Sequence, residues 1–259
     1  MTRHLPGRHR AILVEARRIG RVTVEQLAAS LDCTPQTIRK DLNRLCDEGY
    51  LNRTHGGAEL PTALDNVHYA ERRRIAHDAK CAIGRAVADM IPERASIFIN
   101  VGTTTEEVAR ALVDRSGLLV ITNNLNVVDI LATSDMDVVI AGGKYRAGDR
   151  AMVGPFAAEF IRNFKVDLAV IGASAIDPDG TLLDFDIDEV EVARAIIANA
   201  RSVILASDSG KLTRSAPVRI ASISEIDHFV TDGVDDEDFR ELCRREEVNL
   251  VETGTAAVP

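Results

Sequence analysis

VTVEQLAASLDCTPQTIRKDLNRLCDEGYLNRTHGGA, residues Val22 to Ala58, reads as two short helices followed by a hairpin closed on glycine. Thr23-Val24-Glu25-Gln26 fits a capping box, in which the Thr hydroxyl accepts from the backbone three residues on and Gln26 reaches back. Leu27, Ala28 and Leu31 give that helix one apolar face, and Asp32-Cys33 makes the turn. Thr34 can cap the second helix, with Pro35 at its first position, where a missing N–H costs nothing. Ile38, Leu42 and Leu45 then fall on one buried stripe. The remaining face carries Gln36, Thr37, Arg39, Lys40, Asn43 and Arg44, amide, hydroxyl and guanidinium groups suited to base edges and phosphates in a major groove. Gly49 ends the helix, and Tyr50 to Gly57 reads as a strand running into a tight turn. The pattern predicts a winged helix-turn-helix that recognises double-stranded DNA. A three-helix cap with a solvated charged face would need the helix face only, not the basic glycine-closed wing. Base contacts are expected from Gln36, Thr37, Arg39 and Lys40, with Thr34 and Asn43 beside them. Phosphate contacts are expected from Arg44, Arg53 and His55.

Thr34-Pro35-Gln36-Thr37-Ile38-Arg39-Lys40-Asp41-Leu42, together with Arg53-Thr54-His55-Gly56-Gly57-Ala58, resembles the signature of the DeoR family of bacterial transcription regulators over about residues 8–60. Charge supports a division of labour along the chain. Residues 1–60 hold 10 Lys+Arg against 7 Asp+Glu, a balance of +3, whereas the remainder holds 21 against 33, a balance of −12. A globally acidic chain is a poor generic DNA binder, so affinity must come from a local basic surface.

The 259 residues suffice for a small DNA module and one α/β domain. No apolar run reaches the ~18 residues of a membrane span, and Met1–Arg10 is not followed by the apolar stretch of a signal peptide. Cys33, Cys46, Cys81 and Cys243 are scattered without a paired-thiol spacing, so reduced buried thiols and a cytoplasmic location are expected, with no metal and no cofactor.

The expected organisation is a DNA-binding domain over 1–58, a linker over 59–74, a sensing domain over 75–253 and a tail over 254–259. Glu59 to Asn66 is polar and proline-marked, and Tyr69 to Met90 reads as one long helix with a stripe of Ile75, Ala79, Ile83, Val87 and Met90. Arg72-Arg73-Arg74 could touch DNA, or be solvated or lie between domains. From Ala95 apolar strands alternate with helices, which predicts a largely parallel sheet. Five strands end in polar or cationic loops: Ile97–Val101, Leu118–Thr122, Val138–Ala141, Leu168–Ile171 and Val203–Ala206. In open α/β sheets ligands gather at such carboxyl ends.

Gly102-Thr103-Thr104-Thr105 is the sharpest of these ends: a strand, a glycine and three hydroxyls at a helix N-terminus make a phosphate site. It is not a P-loop, because the Gly-Lys-Ser/Thr ending is missing. Lys144 and Lys211 are the expected cationic partners, from neighbouring strand ends. Asn123 and Asn124 suit the hydroxyls of a polyol, although one of them can instead cap the helix beginning near Leu125. Asp184 or Glu189, in an acidic run before a helix, could also bind ligand hydroxyls.

From about Lys80 to Asp232 the chain resembles the DeoR-type sensor domain, which implies a fold similar to sugar-phosphate isomerases and CoA transferases and a phosphorylated sugar or polyol as effector. A closer likeness within the family, through Val101-Gly102-Thr103-Thr104, Thr122 to Val127, Gly180 to Asp186, Arg194 to Ile197 and Ser222 to Asp227, implies sn-glycerol 3-phosphate. Two departures bear on the ligand: Ala193-Arg194 stands where the family usually has Lys-Arg, and Lys211 survives in altered surroundings, Gly210-Lys211-Leu212-Thr213. An isomerase would need a carboxylate to move a proton between adjacent carbons, and Gly172 to Ile176 supplies none. No catalytic residues are expected. A ligand-blind architectural DNA protein would need neither the Thr loop nor the lysines. The reading is therefore a homo-oligomeric DNA-binding regulator, a repressor by family habit, controlled by a sugar or polyol phosphate.

Overall fold

The computed structural model of the chain describes residues 7–47, 50–54, 56–59 and 69–254. The N-terminal module is α1 (Gly7–Ile19), β1 (Arg21–Thr23), α2 (Val24–Ser30), α3 (Pro35–Asp47), β2 (Asn52–Thr54) and β3 (Gly57–Glu59). Thr23 and Gln26 form the expected capping box, and Ile38, Leu42 and Leu45 are fully buried with Ile12, Val22, Leu27 and Ala58. The strands form an antiparallel sheet in the order β1-β3-β2, with Ala58 opposite both Val22 and Arg53. The two wing glycines do different jobs. Gly56 takes a positive φ of 79°, and a Cβ on Gly57 would lie 2.0 Å from the Val22 carbonyl oxygen, so β1 can pair there only with glycine. Asp41 of α3 accepts from Arg8 at 2.5 and 3.2 Å and lies 3.0 Å from His9 Nε2, tying the second helix of the motif to α1.

The single long helix expected from Tyr69 to Met90 is two: α4 (Tyr69–Arg74) and α5 (His77–Met90). Ala76 between them is left-handed, at φ 52° and ψ 35°. The Lys80 ammonium takes up the carbonyls released at this break, donating to Arg72 at 2.5 Å and Ile75 at 2.7 Å. It stands on the buried face of α5, three residues from Ile83 and seven from Val87.

Seven parallel strands follow: β4 (Ser96–Ile99), β5 (Ser116–Thr122), β6 (Asp135–Ile140), β9 (Val166–Ile171), β12 (Ala200–Ala206), β14 (His228–Thr231) and β15 (Asn249–Glu252). Their order is β15-β14-β12-β9-β4-β5-β6. Alternation along β4 sorts the two cores: Ile97 and Ile99 pack with α5 and with Val108, Ala109 and Leu112 of α6 (Thr103–Leu112), while Phe98 packs with Ala157 and Ile161 of α8 (Pro155–Arg162) and Val190 and Ile196 of α9 (Ile187–Ala198). All five expected strands are present. Among the described residues there are also the two short strands β14 and β15, a hairpin of β7 (Lys144–Arg146) and β8 (Ala151–Val153), and a small antiparallel sheet of β10 (Ala175–Ile176), β11 (Thr181–Asp184) and β13 (Val218–Ser222). The Asp177-Pro178-Asp179-Gly180 turn joins β10 to β11. No helix among the described residues is long and apolar enough to cross a membrane.

The two halves touch. Tyr50, after the second helix of the motif, lies against Gly210 of the 3₁₀ helix Ser209–Thr213, close enough that a Cβ there would sit 3.3 Å from Tyr50 Cε1. Arg10 Nε stands 3.4 Å from Asp235 Oδ2, with both side chains about half exposed.

Candidate functional site

Gln36, Arg39, Lys40 and Asn43 fall at helix spacings of three and four, and all are exposed on α3, opposite Ile38 and Leu42. None of the four has a hydrogen bond or ion pair among the described residues. Thr37 and Arg44 flank them half-buried, and Arg53 is exposed on β2. Thr34 is committed locally: its hydroxyl accepts from the Thr37 N–H at 3.2 Å and meets the Thr37 hydroxyl at 2.9 Å. His55 lies outside the described residues.

The second site sits at the carboxyl ends of β4, β9 and β12, which are neighbours in the sheet. Gly102 precedes α6 with φ 153°, and the N–H groups of Thr103, Thr104 and Thr105 follow it. Of the three threonine hydroxyls only two remain available. Thr105 donates to the carbonyls of Asn100 (2.7 Å) and Gly102 (2.8 Å), which closes the loop. Thr103 and Thr104 are largely buried, and their hydroxyls have no partner among the described residues. Gly172, ending β9 between the other two strands, leaves a hollow where a Cβ would only just reach Thr105 Cγ2 and the Ala206 carbonyl, both at 3.9 Å.

The two asparagines differ. Asn124 is the cap of α7 (Leu125–Leu131), accepting from the Asn126 N–H at 2.9 Å, and its amide donates to Glu106 Oε1 at 3.2 Å. Asn123 donates to the Met152 carbonyl at 3.1 Å, but its Oδ1 is buried without a partner. Glu106 is directed away from any anion role, held by the Tyr69 hydroxyl at 2.7 Å and by the amides of Asn124 and Asn126. Lys144, expected beside the phosphate, is instead on the β7 hairpin with its side chain 72% exposed, donating to Asp188 at 2.9 Å.

Lys211 is half-buried in the 3₁₀ helix that follows β12, and its ammonium makes no hydrogen bond among the described residues. Burial, reinforced by the like charge of Arg214, pushes its pKa well down, against the opposing pull of Asp208. Lys80 and Arg72 belong to the same electrostatic group. Burial would push Asp208 up, yet Lys211, Lys80 and Arg214 together hold its carboxylate below the usual range. The cluster thus sets Lys211, Lys80 and Arg214 around Asp208, with Asp232 as a second carboxylate beside it, a balance of three positive charges against two negative that favours an added anion.

Lys80, Arg72 and Arg214 are cations that the sequence pattern did not mark for this role. Lys80 was visible as a lysine on the apolar phase of a helix. Arg72 Nη2 reaches Asp149 at 3.4 Å, and Asp149 is gripped by both arms of Arg146 at 2.9 and 2.6 Å. Arg146 also bonds Asp186 at 2.6 Å and pairs with Glu189. Asp184 is buried, accepting from the Ser174 hydroxyl at 3.0 Å and the Phe185 N–H at 2.6 Å, and burial raises its pKa. Glu189 is raised by burial and then by the Asp184 charge.

Two family descriptions match the chain: a DeoR-like helix-turn-helix domain over residues 8–63 and a DeoR C terminal sensor domain over residues 75–233. A glycerol-3-phosphate regulon repressor of Haemophilus influenzae is 41% identical over 228 residues, covering 88% of this chain and 89% of its own length. The Escherichia coli protein of the same name is 41% identical over 87% of this chain and 90% of its own. The repressor CsqR of Escherichia coli is 37% identical, covering 87% of each. The winged motif, the parallel sheet and these likenesses over most of the chain agree, and the chain belongs to the DeoR family of DNA-binding transcription regulators.

Proposed function

We propose that this chain is a repressor whose operator binding through α3 is released when a phosphorylated polyol, sn-glycerol 3-phosphate, occupies the cleft at the ends of β4, β9 and β12. The observation that carries the reading is the pairing of two unengaged hydroxyls, Thr103 and Thr104, at the start of α6 with the cations Lys80, Lys211 and Arg214 gathered around Asp208. A phosphate dianion supplies the acceptors and the negative charge that this arrangement lacks. The unpartnered Asn123 Oδ1 suits a polyol hydroxyl as donor. Asp184 is held by Ser174 and the backbone, which makes it an acceptor for ligand hydroxyls rather than a mobile base. The names borne by the 41% identical relatives support glycerol 3-phosphate among sugar and polyol phosphates.

Gln36, Arg39, Lys40 and Asn43 read base edges, and Arg44 and Arg53 hold phosphates. The coupling runs through the 3₁₀ helix that carries Lys211, because Tyr50 of the DNA-binding half rests on its Gly210. A ligand drawing Lys211 towards α6 moves the surface on which that half is seated, and only such a difference between states can change DNA affinity. Two copies would place two α3 helices on repeated half-sites. Tyr145, Phe156 and Ile187, exposed by 50, 82 and 72% on adjoining elements, supply apolar surface for that pairing.

The test is fluorescence-anisotropy titration of the protein on its own promoter DNA at fixed salt, with glycerol 3-phosphate, glycerol and inorganic phosphate in separate arms. Binding weakened by glycerol 3-phosphate alone is the expected result. Specific binding that ignores it would move the effector to another sugar phosphate.

A further inference from the structure

On the flank of the sensor half, α5 and α6 approach unusually closely. Gly84 permits it: a Cβ there would lie 2.6 Å from the Glu107 carbonyl carbon and oxygen. That approach presses Glu107, in the first turns of α6, onto the start of α5, where His77 and Cys81 stand four residues apart and share a face. Cys81 Sγ lies 3.5 Å from Glu107 Oε2 and 3.7 Å from His77 Nε2, and His77 Nδ1 is 4.0 Å from Glu107 Oε1. We propose that His77, Cys81 and Glu107 form a zinc-class divalent-metal site that clamps α5 to α6.

The clustering of three different donor types carries the assignment. A tetrahedral zinc with bonds of about 2.3 Å to sulfur and about 2.0–2.2 Å to nitrogen and oxygen sets its donors roughly 3.3–3.6 Å apart. With one ligand atom from each residue the donors lie within 4.8 Å of one another, so they must close by up to about 1 Å, and the His77 side chain, 56% exposed, has the freedom to do so. Glu107 is already oriented: Arg110 Nε donates to Oε1 at 3.2 Å and leaves Oε2 turned to the thiol. A ligating carboxylate held by an outer hydrogen bond is the usual support of a metal centre. One thiolate, one imidazole and one carboxylate make a mixed donor set that suits zinc and disfavours magnesium or calcium, whose ligands are oxygen. Three protein donors leave a fourth position open to water. Binding releases the Cys81 proton to solvent. The four scattered cysteines carry no paired-thiol spacing because the other two ligands are not thiols and one comes from a helix 26 residues away.

The experiment is titration of the reduced full-length chain with cobalt(II), followed by zinc(II). Saturation at one cobalt per chain with a thiolate-to-cobalt charge-transfer band, bleached by zinc, is expected. Cys81→Ser should lose the band, Cys33→Ser should keep it, and His77→Ala, at an exposed position, should weaken binding at least about tenfold. Absence of a saturable band, or a band that survives Cys81→Ser with circular dichroism unchanged, overturns the site.

Discussion

Replacing Lys211 by Met should weaken the effector response while leaving the free protein at least as stable. Lys211 stands in a half-buried position where burial and Arg214 pull its pKa well down, and its ammonium has no hydrogen bond among the described residues to offset the cost. Met keeps the length of the apolar stem and removes only the charge. In the free protein the change leaves Lys80 and Arg214 to hold Asp208, so the cluster loses repulsion and keeps compensation. With ligand bound, the variant lacks one charge-assisted contact to phosphate, worth about 1.5–3 kcal/mol. At about 1.4 kcal/mol per tenfold, that is roughly a ten- to hundredfold rise in the half-saturating concentration of glycerol 3-phosphate. Thermal melts across a ligand series read both quantities. The melting temperature without ligand should hold or rise, and the ligand-induced increase should shift to higher concentration. A melting temperature that falls without ligand, together with an unchanged half-saturation, would refute the assignment of Lys211 to the phosphate.

Arg39→Ala should cost about 1–3 kcal/mol per half-site in specific operator affinity with the effector response retained, as read by anisotropy on operator and scrambled DNA; undiminished specificity would remove Arg39 from the reading face. Gly57→Val drives side-chain atoms into the Val22 carbonyl and should destabilise the N-terminal module by about 1–3 kcal/mol in urea, abolishing DNA binding while effector binding survives. Glu189 has its pKa raised from 4.5 to about 8 by burial and then by Asp184, so the folded state holds its proton where the unfolded state has lost it. That stabilisation is complete below about 4.5 and fades as pH rises through about 8, and Glu189→Gln should flatten the decline seen in urea melts at successive pH values; parallel profiles would sink the idea. Phe156→Glu places charge on an exposed apolar site and should lower the assembly state by light scattering, with the circular dichroism of the chain unchanged.

What was legible in the sequence follows the strength of local patterning. Ile38, Leu42 and Leu45 could be placed because one helical phase carries all the burial, and the same phase exposes Gln36, Arg39, Lys40 and Asn43. β12, β9, β4 and β5 show as apolar runs because both of their faces are covered. β14 and β15 hold only two consecutive apolar residues each, Phe229-Val230 and Leu250-Val251, between polar ends, so no run declares itself. The break at Ala76 left no trace, since the apolar stripe continues through it and alanine is a poor mark of a left-handed residue. The phosphate loop was legible from its glycine and hydroxyls, but not which hydroxyl the backbone would consume. Lys144 and Lys80 fail in opposite directions. Glycines around Lys144 point to a site, yet it stands on an exposed hairpin, whereas Lys80 shows only as a lysine on the apolar phase of a helix and is a buried cation. Both outcomes depend on where distant elements fold, which spacing along the chain does not encode.

The seat of Tyr50 on Gly210 also limits the dynamic range of gene control that one chain can deliver. Among the described residues the contact between the halves includes the Tyr50 ring on the 3₁₀ turn and the half-exposed pair of Arg10 and Asp235. An exposed pair contributes only about 0–1 kcal/mol, and a coupling of about 1–3 kcal/mol corresponds to roughly 5- to 150-fold. A single chain can therefore graduate transcription over tens-fold, and a near-silent to fully open promoter requires the couplings of two chains on one operator to multiply. The same coupling runs backwards: operator DNA must loosen the grip on the effector by the same factor, so promoters crowded with sites would raise the metabolite level at which they open.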